Sequence, residues 1–115
     1  MHDDPAAEAP SLEIRPDEFE VLVDGRRVGL TVREFQTFNA LAQRPDRVVT
    51  RAEIYGQVWG GAIAERDRSV DVCVRKVRRK LARVAPEVAF IHTHFGVGYR
   101  LSAEPLPASD SAATG

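Results

Sequence analysis

A chain of 115 residues, 43% of them hydrophobic, is long enough for one ordinary domain with a modest core and too short for two. Its single cysteine, Cys73, excludes an internal disulfide and a cysteine-based zinc site, which points to an intracellular or redox-indifferent protein. The formal net charge of −1 hides a division: residues 1–20 hold seven acids and one base, residues 21–100 eight acids and fifteen bases, and residues 101–115 two acids. A basic body between acidic ends is the electrostatic footprint of a partner for polyanions, and is also what one solvated basic helix face produces.

The opening "MHDDPAAEAP" is acidic and has no apolar run, so neither a signal peptide nor a membrane span is expected there. Residues 1–10 and 103–115 lack hydrophobic periodicity and are expected to be disordered tails around a domain at 11–102. In "LEIRPDEFEVLVDGRRVGL", three short β-prone runs are separated by Pro16-Asp17 and by the hairpin signal Asp24-Gly25, which predicts a small antiparallel sheet.

The period then changes. Thr31 with Glu34, and Thr50 with Glu53, have the spacing of capping boxes and predict two helix starts. The first helix carries Phe35, Phe38, Leu41 and Ala42 and should stop near Arg44-Pro45; the second carries Ile54, Tyr55, Val58 and Trp59 and should stop at Gly60-Gly61. A third helix is expected from a cap at Ser69 to about Ala85, before Pro86. Val70, Cys73, Val74, Val77, Leu81 and Val84 fall within about 100° of one another on it, the width of a core-facing stripe. The opposite side holds Arg75, Lys76, Arg79 and Arg83, with Arg78 and Lys80 at the flanks and Val72 among the bases. After Pro86, two alternating runs flank "FGVG" and predict a C-terminal hairpin with a glycine-rich tip.

An α-helix fits the major groove of B-DNA, where flanking phosphates reward Lys and Arg and a small apolar side chain can meet the thymine methyl. The third helix has those parts, the second helix and the loop 60–67 complete a helix-turn-helix, and the hairpin would be the wing. The segments "LTVREFQTFNAL", "RVVTRAEIYGQVWG", "DRSVDVCVRKVRRKL" and "THFGVGYRL" together resemble the winged-helix effector domain of the OmpR/PhoB class of bacterial response regulators, over about residues 12–101.

The resemblance implies an α+β winged helix-turn-helix with a four-stranded N-terminal sheet, three helices and a C-terminal hairpin. It implies a cytoplasmic transcriptional regulator of a two-component system that binds double-stranded DNA in a sequence-specific manner. Val72, Arg75, Lys76 and Arg79 are then the candidates for base contacts. Trp59, Arg68, Ser69, Arg78, Arg83 and Thr93 are the candidates for the DNA backbone, and His94, Phe95 and Gly96 form the wing tip. Trp59 could equally be a core aromatic. The loop 60–67 corresponds to the segment that meets RNA polymerase in some members; its plain reading is a connector. A monomer that pairs in tandem on DNA is expected.

Two departures stand out. Many members place arginine at the wing tip to enter the minor groove, where this chain has Phe95, expected to pack under the hairpin or else to press on sugar and phosphate. A receiver domain would precede the effector domain in a response regulator, and these residues encode no phosphoacceptor switch. His92 and His94 share one strand face, but no third metal ligand accompanies them, so no metal or other cofactor is expected. Cys73, at the edge of the core stripe, reads as a small hydrophobe, and no nucleophile-base pair suggests an enzyme. The rival function is a winged helix that docks on RNA polymerase or another regulator.

Overall fold

The computed structural model describes residues 10–106. In chain order the elements are β1 (Leu12–Arg15), a 3-10 turn (Pro16–Glu18), β2 (Glu20–Val23), β3 (Arg26–Arg27), α1 (Val32–Ala42), β4 (Val48–Thr50), α2 (Arg51–Val58), α3 (Ser69–Val84), β5 (Val88–His94) and β6 (Gly98–Pro105). They form two antiparallel three-stranded sheets, β1-β2-β3 and β4-β6-β5, around the three helices.

The N-terminal sheet follows its turn chemistry. Proline at the start of the 3-10 turn ends β1, and Asp24-Gly25, both at positive φ, turn β2 into β3 so that Val23 pairs with Arg26. This sheet has three strands among the described residues, not the four that the family resemblance implied. The additional strand is β4, just before the second capping box, and it joins the C-terminal hairpin instead, with Val49 opposite Tyr99 and Thr50 opposite Gly98.

Both capping boxes form. Thr31 Oγ1 accepts from the Glu34 amide at 3.2 Å while Glu34 Oε1 accepts from the Thr31 amide at 2.9 Å, and Thr50 and Glu53 repeat the arrangement at 3.1 and 2.9 Å. The α3 cap differs from expectation. Ser69 is already helical, Arg68 holds the cap position without a side-chain bond, and Asp67 Oδ1 accepts from the Ser69 amide at 2.8 Å. A carboxylate at a helix N-terminus also meets the positive end of the helix dipole, which a serine hydroxyl cannot match.

The core is one cluster. Val21 and Val23 of β2, Phe35, Phe38 and Leu41 of α1, Ile54 of α2 and Phe90, Tyr99 and Leu101 of the hairpin surround the inner stripe of α3. In that stripe Val70, Cys73, Val74, Val77 and Leu81 are buried and Val84 is half-buried, as the periodicity predicts. Full burial of a valine or leucine contributes about 1.5–3 kcal/mol, so this stripe fixes which face of α3 looks outward.

The hairpin is longer than expected. Residues 103–105, assigned to the C-terminal tail from sequence, continue β6, with Ala89 opposite Glu104 and Val88 opposite Pro105, and Ala103 packs on the core. Pairing with β5, the bond from the Leu106 amide to the Glu87 carbonyl at 2.8 Å and the packing of Ala103 hold this backbone, and composition alone does not reveal them. The rest of the expected tails, 1–9 and 107–115, lies outside the described residues.

Candidate nucleic-acid interface

Burial of the inner stripe leaves Val72, Arg75, Lys76, Arg79 and Arg83 exposed on the outer face of α3. Among the described residues, none of these four cations is spent in an ion pair. Val72 keeps 37% of its surface accessible between them. The face therefore presents uncompensated charge around one small apolar group.

The start of α3 is held by a compact polar network. Asp71 accepts from Arg51 Nε and Nη2, each at 3.1 Å, and from the Tyr99 hydroxyl, while Arg68 Nη1 lies 3.3 Å from Asp71 Oδ2. One carboxylate thus ties together α2, α3 and β6. Burial pushes the Asp71 carboxyl up, but the hydrogen bonds from Tyr99 and Arg51 and the charges of Arg51 and Arg68 outweigh it and hold it below the usual range. Tyr99, raised by its burial and by its bond to Asp71 to about 12, stays a donor at any ordinary pH.

Two hollows flank this start, and Arg68 lines both. One, of about 460 Å³, opens between the beginning of α1, the end of α2 and α3, and includes Arg33, Trp59, Ser69, Val72 and Lys76. The other, of about 310 Å³, opens between α3 and the hairpin tip and includes Arg51, Thr93, His94 and Phe95. Trp59 is half-buried and packs against the core, stacked on Tyr55 with ring centroids 5.3 Å apart, and it also lines the first hollow. Arg33, 5.2 Å above the Trp59 ring, donates to the Val58 carbonyl at 3.2 Å.

Arg78 and Thr93, both candidates for backbone contacts, are brought together. Arg78 Nη2 donates to Thr93 Oγ1 at 2.6 Å and to the Ile91 carbonyl at 2.9 Å, and its Nε reaches the same carbonyl at 3.2 Å. The guanidinium braces the wing against α3. The Thr93 hydroxyl, with its oxygen accepting from Arg78, keeps its own hydrogen for an outside acceptor.

At the wing tip, the Val97 amide donates to the His94 carbonyl at 2.9 Å, and Gly96, with φ of 77°, takes the left-handed position that this turn requires. His94 Nε2 accepts from Arg100 Nε at 3.1 Å, and His92 Nε2 donates to the Ser102 carbonyl at 2.8 Å. Phe95 does not pack under the hairpin as the first of its two readings had it: it is 91% exposed. The turn holds it at the apex, and the core beneath is already filled by Phe90, Ile91, Tyr99 and Leu101. Cys73 behaves as expected, buried and accepting from the Thr37 hydroxyl at 3.2 Å; burial, only partly offset by that bond, pushes its thiol pKa up.

Sequence reasoning did not single out Arg33, Arg51, Asp71 or Tyr99. The three-residue spacing of Arg68 and Asp71 is the one local signal for this network, since Arg51 and Tyr99 reach Asp71 across long stretches of chain.

Relatives share this architecture. The Klebsiella pneumoniae RstA DNA-binding domain, solved in complex with the RstA box, is 29% identical, covers 83% of this chain and 94% of its own, and superposes with a TM-score of 0.72. The DNA-binding domain of Escherichia coli CpxR is 30% identical, with 82% and 92% covered and a TM-score of 0.72. The transcriptional regulatory protein SrrA of Staphylococcus aureus is 39% identical over 90 residues, 77% of this chain and 37% of SrrA, so the chain spans little more than a third of that relative's length. Residues 25–101 match the family described as "Transcriptional regulatory protein, C terminal", and the chain belongs to that family, the OmpR/PhoB-type effector domains of transcriptional regulators.

Proposed function

We infer that this chain binds double-stranded DNA in a sequence-specific manner as the DNA-reading part of a bacterial transcriptional regulator, with α3 in the major groove and the wing on the flanking backbone. One observation carries the reading: the outer face of α3 holds Arg75, Lys76 and Arg79, without ion-pair partners among the described residues, around Val72, and the hollows on either side of its first turn meet at Arg68. Val72, Arg75, Lys76 and Arg79 take the base edges. Arg68, Ser69, Trp59, Arg83 and Thr93 take phosphates, and Arg78 sets the wing that carries Thr93. The RstA neighbour is described in complex with its box, which supports DNA binding by the shared fold.

The test is a salt titration on a fluorescent duplex selected by the chain from a random library. Five cations brought to the phosphates in and beside the groove, Arg68, Arg75, Lys76, Arg79 and Arg83, give a log-log slope of affinity against salt of roughly −4 to −5. A salt-insensitive interaction, or no selection of any sequence, rejects the reading in favour of a protein-docking winged helix.

Three finer points belong to the same proposal. Loop 60–67 is mostly exposed, which suits a contact with RNA polymerase; substitutions there should impair transcription and spare DNA binding. The chain acts in the cytoplasm, and no helix among the described residues is long and apolar enough to cross a membrane. It is a monomer in solution that pairs in tandem on DNA, so sedimentation without DNA should give the mass of one chain.

A further inference from the structure

Phe95 is almost fully in water, yet the arm that carries it is rigid at its base. Tyr99, 7% exposed, is bonded to Asp71 of α3, Arg78 grips the Ile91 carbonyl and Thr93, and β4 lies so close to β6 that a Cβ on Gly98 would stand 2.0 Å from the Val49 carbonyl oxygen. The tip itself is closed by the His94-to-Val97 turn. An aromatic ring at the end of a braced arm gains nothing in the free protein, and little ordering entropy is lost when it binds.

The ring is also placed beside the proposed DNA track. Phe95 and Arg68 line one hollow with Thr93 and His94, between the first turn of α3 and the tip. If α3 occupies the major groove, the phosphate strand bordering that groove crosses this hollow, and the tip reaches the adjacent minor groove. An uncharged ring gains nothing from the negative potential of a narrow groove. Its favourable contact is with the faces of bases, and these become available only when a base step opens.

We propose that Phe95 is a minor-groove wedge, inserted between two base pairs beside the site read by α3 and selecting a deformable step there. The inference rests on the DNA-binding reading and adds to it a specificity position that α3 does not touch. Pyrimidine–purine steps, TA and CA/TG, unstack at least cost and are the expected choice. The wedge also kinks the duplex, by about 20–90° for side chains of this kind.

The test uses the full chain and the duplex it selects from a random library, with 2-aminopurine placed in turn at each flanking step. The wild type should raise the fluorescence at one step severalfold and prefer TA or CA there over a GC step by about fivefold or more, the low end for one base-pair position. Phe95→Ala should lose both effects while it keeps its melting temperature and its discrimination within the α3 site; Phe95→Trp should retain them. Silent 2-aminopurine at every step with specific binding intact overturns the wedge and leaves the DNA reading standing. Loss of tandem occupancy alone in Phe95→Ala also overturns it, by placing the ring against a second copy. Failure of the wild type to select any sequence defeats the DNA reading itself.

Discussion

Arg78 on α3 and Thr93 on β5 are joined by a 2.6 Å hydrogen bond, and the same guanidinium caps the Ile91 carbonyl while lying 5.6 Å from the centre of the Tyr99 ring. One side chain thereby ties α3 to the hairpin. Arg78→Ala leaves the Ile91 carbonyl short of its side-chain donor, and a loss of about 1–3 kcal/mol of stability is expected for a buried acceptor left unsatisfied. On the proposed DNA-binding reading, affinity should fall equally on selected and scrambled duplexes, because the phosphate contact proposed for Thr93 is displaced in both cases. Arg78→Lys should not restore either property, since an ammonium cannot serve two acceptors from a planar fork. Thermal melting and competition binding check this; an unchanged melting temperature for Arg78→Ala sinks the bracing role.

Lys76 and Val72 lie on the same face of α3 as Arg75 and Arg79, but they also border the hollow that contains Trp59 and Arg68. Lys76→Ala should reduce discrimination between selected and scrambled DNA by about 1–3 kcal/mol, the range for a good polar base contact, and Val72→Ala by less. Arg68→Ala should weaken both duplexes alike and make the salt slope shallower by about 1. Equal losses on both duplexes for Lys76→Ala would show that it meets phosphate rather than a base edge.

Much of this architecture was legible from local chemistry. Thr31 with Glu34 and Thr50 with Glu53 encode their helix starts within one turn, and the apolar stripe from Val70 to Leu81 encodes its helix within about three turns, so spacing sufficed. The outer face of α3 followed as the complement of that stripe. What escaped was encoded across the chain. Val48–Thr50 is too short to register as a strand until Gly98 supplies its partner, and Asp71 looks like an ordinary helix-start acid until Arg51 and Tyr99 arrive at it. Phe95 misled for a related reason. A phenylalanine favours burial in general, and only the filled core beneath the hairpin decides that this one has nowhere to go.

Gly98 is required by contact and not by backbone conformation. A Cβ there would meet the Val49 carbonyl oxygen at 2.0 Å and the Thr50 Cα at 2.8 Å, both backbone atoms of β4. Neither can rotate away, so Gly98→Ala must part β4 from β6. A loss of about 1–3 kcal/mol or more is expected from overpacking of this kind. Gly96→Ala, in open space but at positive φ, should cost less, about 1 kcal/mol of left-handed strain. Chemical denaturation of the two variants gives the order, and a reversed order would contradict the close approach of the strands.

Asp71 makes the stability of the fold depend on pH in a defined window. Its carboxyl is held below the ordinary value because the bonds from Tyr99 and Arg51 and the two guanidinium charges more than offset the cost of burial. A carboxylate with a depressed folded value stabilises the native state wherever it is ionised in both states, above about pH 4, and this contribution is lost as pH falls through the folded value. Glu34 behaves in the same way: burial pushes it up, and the 2.7 Å bond from Lys80 with the Thr31 amide brings it down. Acid should therefore loosen the contacts of α3 with β6 and with α1 over one range. Asp71→Asn removes only the first of these. It should lower the melting temperature at pH 7, because the amide cannot balance Arg51 and Arg68, and the deficit should shrink as pH falls from 4 towards 2.5. Melting curves for both proteins across that range carry the test. A deficit that stays constant at every pH would mean that Asp71 contributes only shape at this junction, and that its charge does not hold the start of α3 in place.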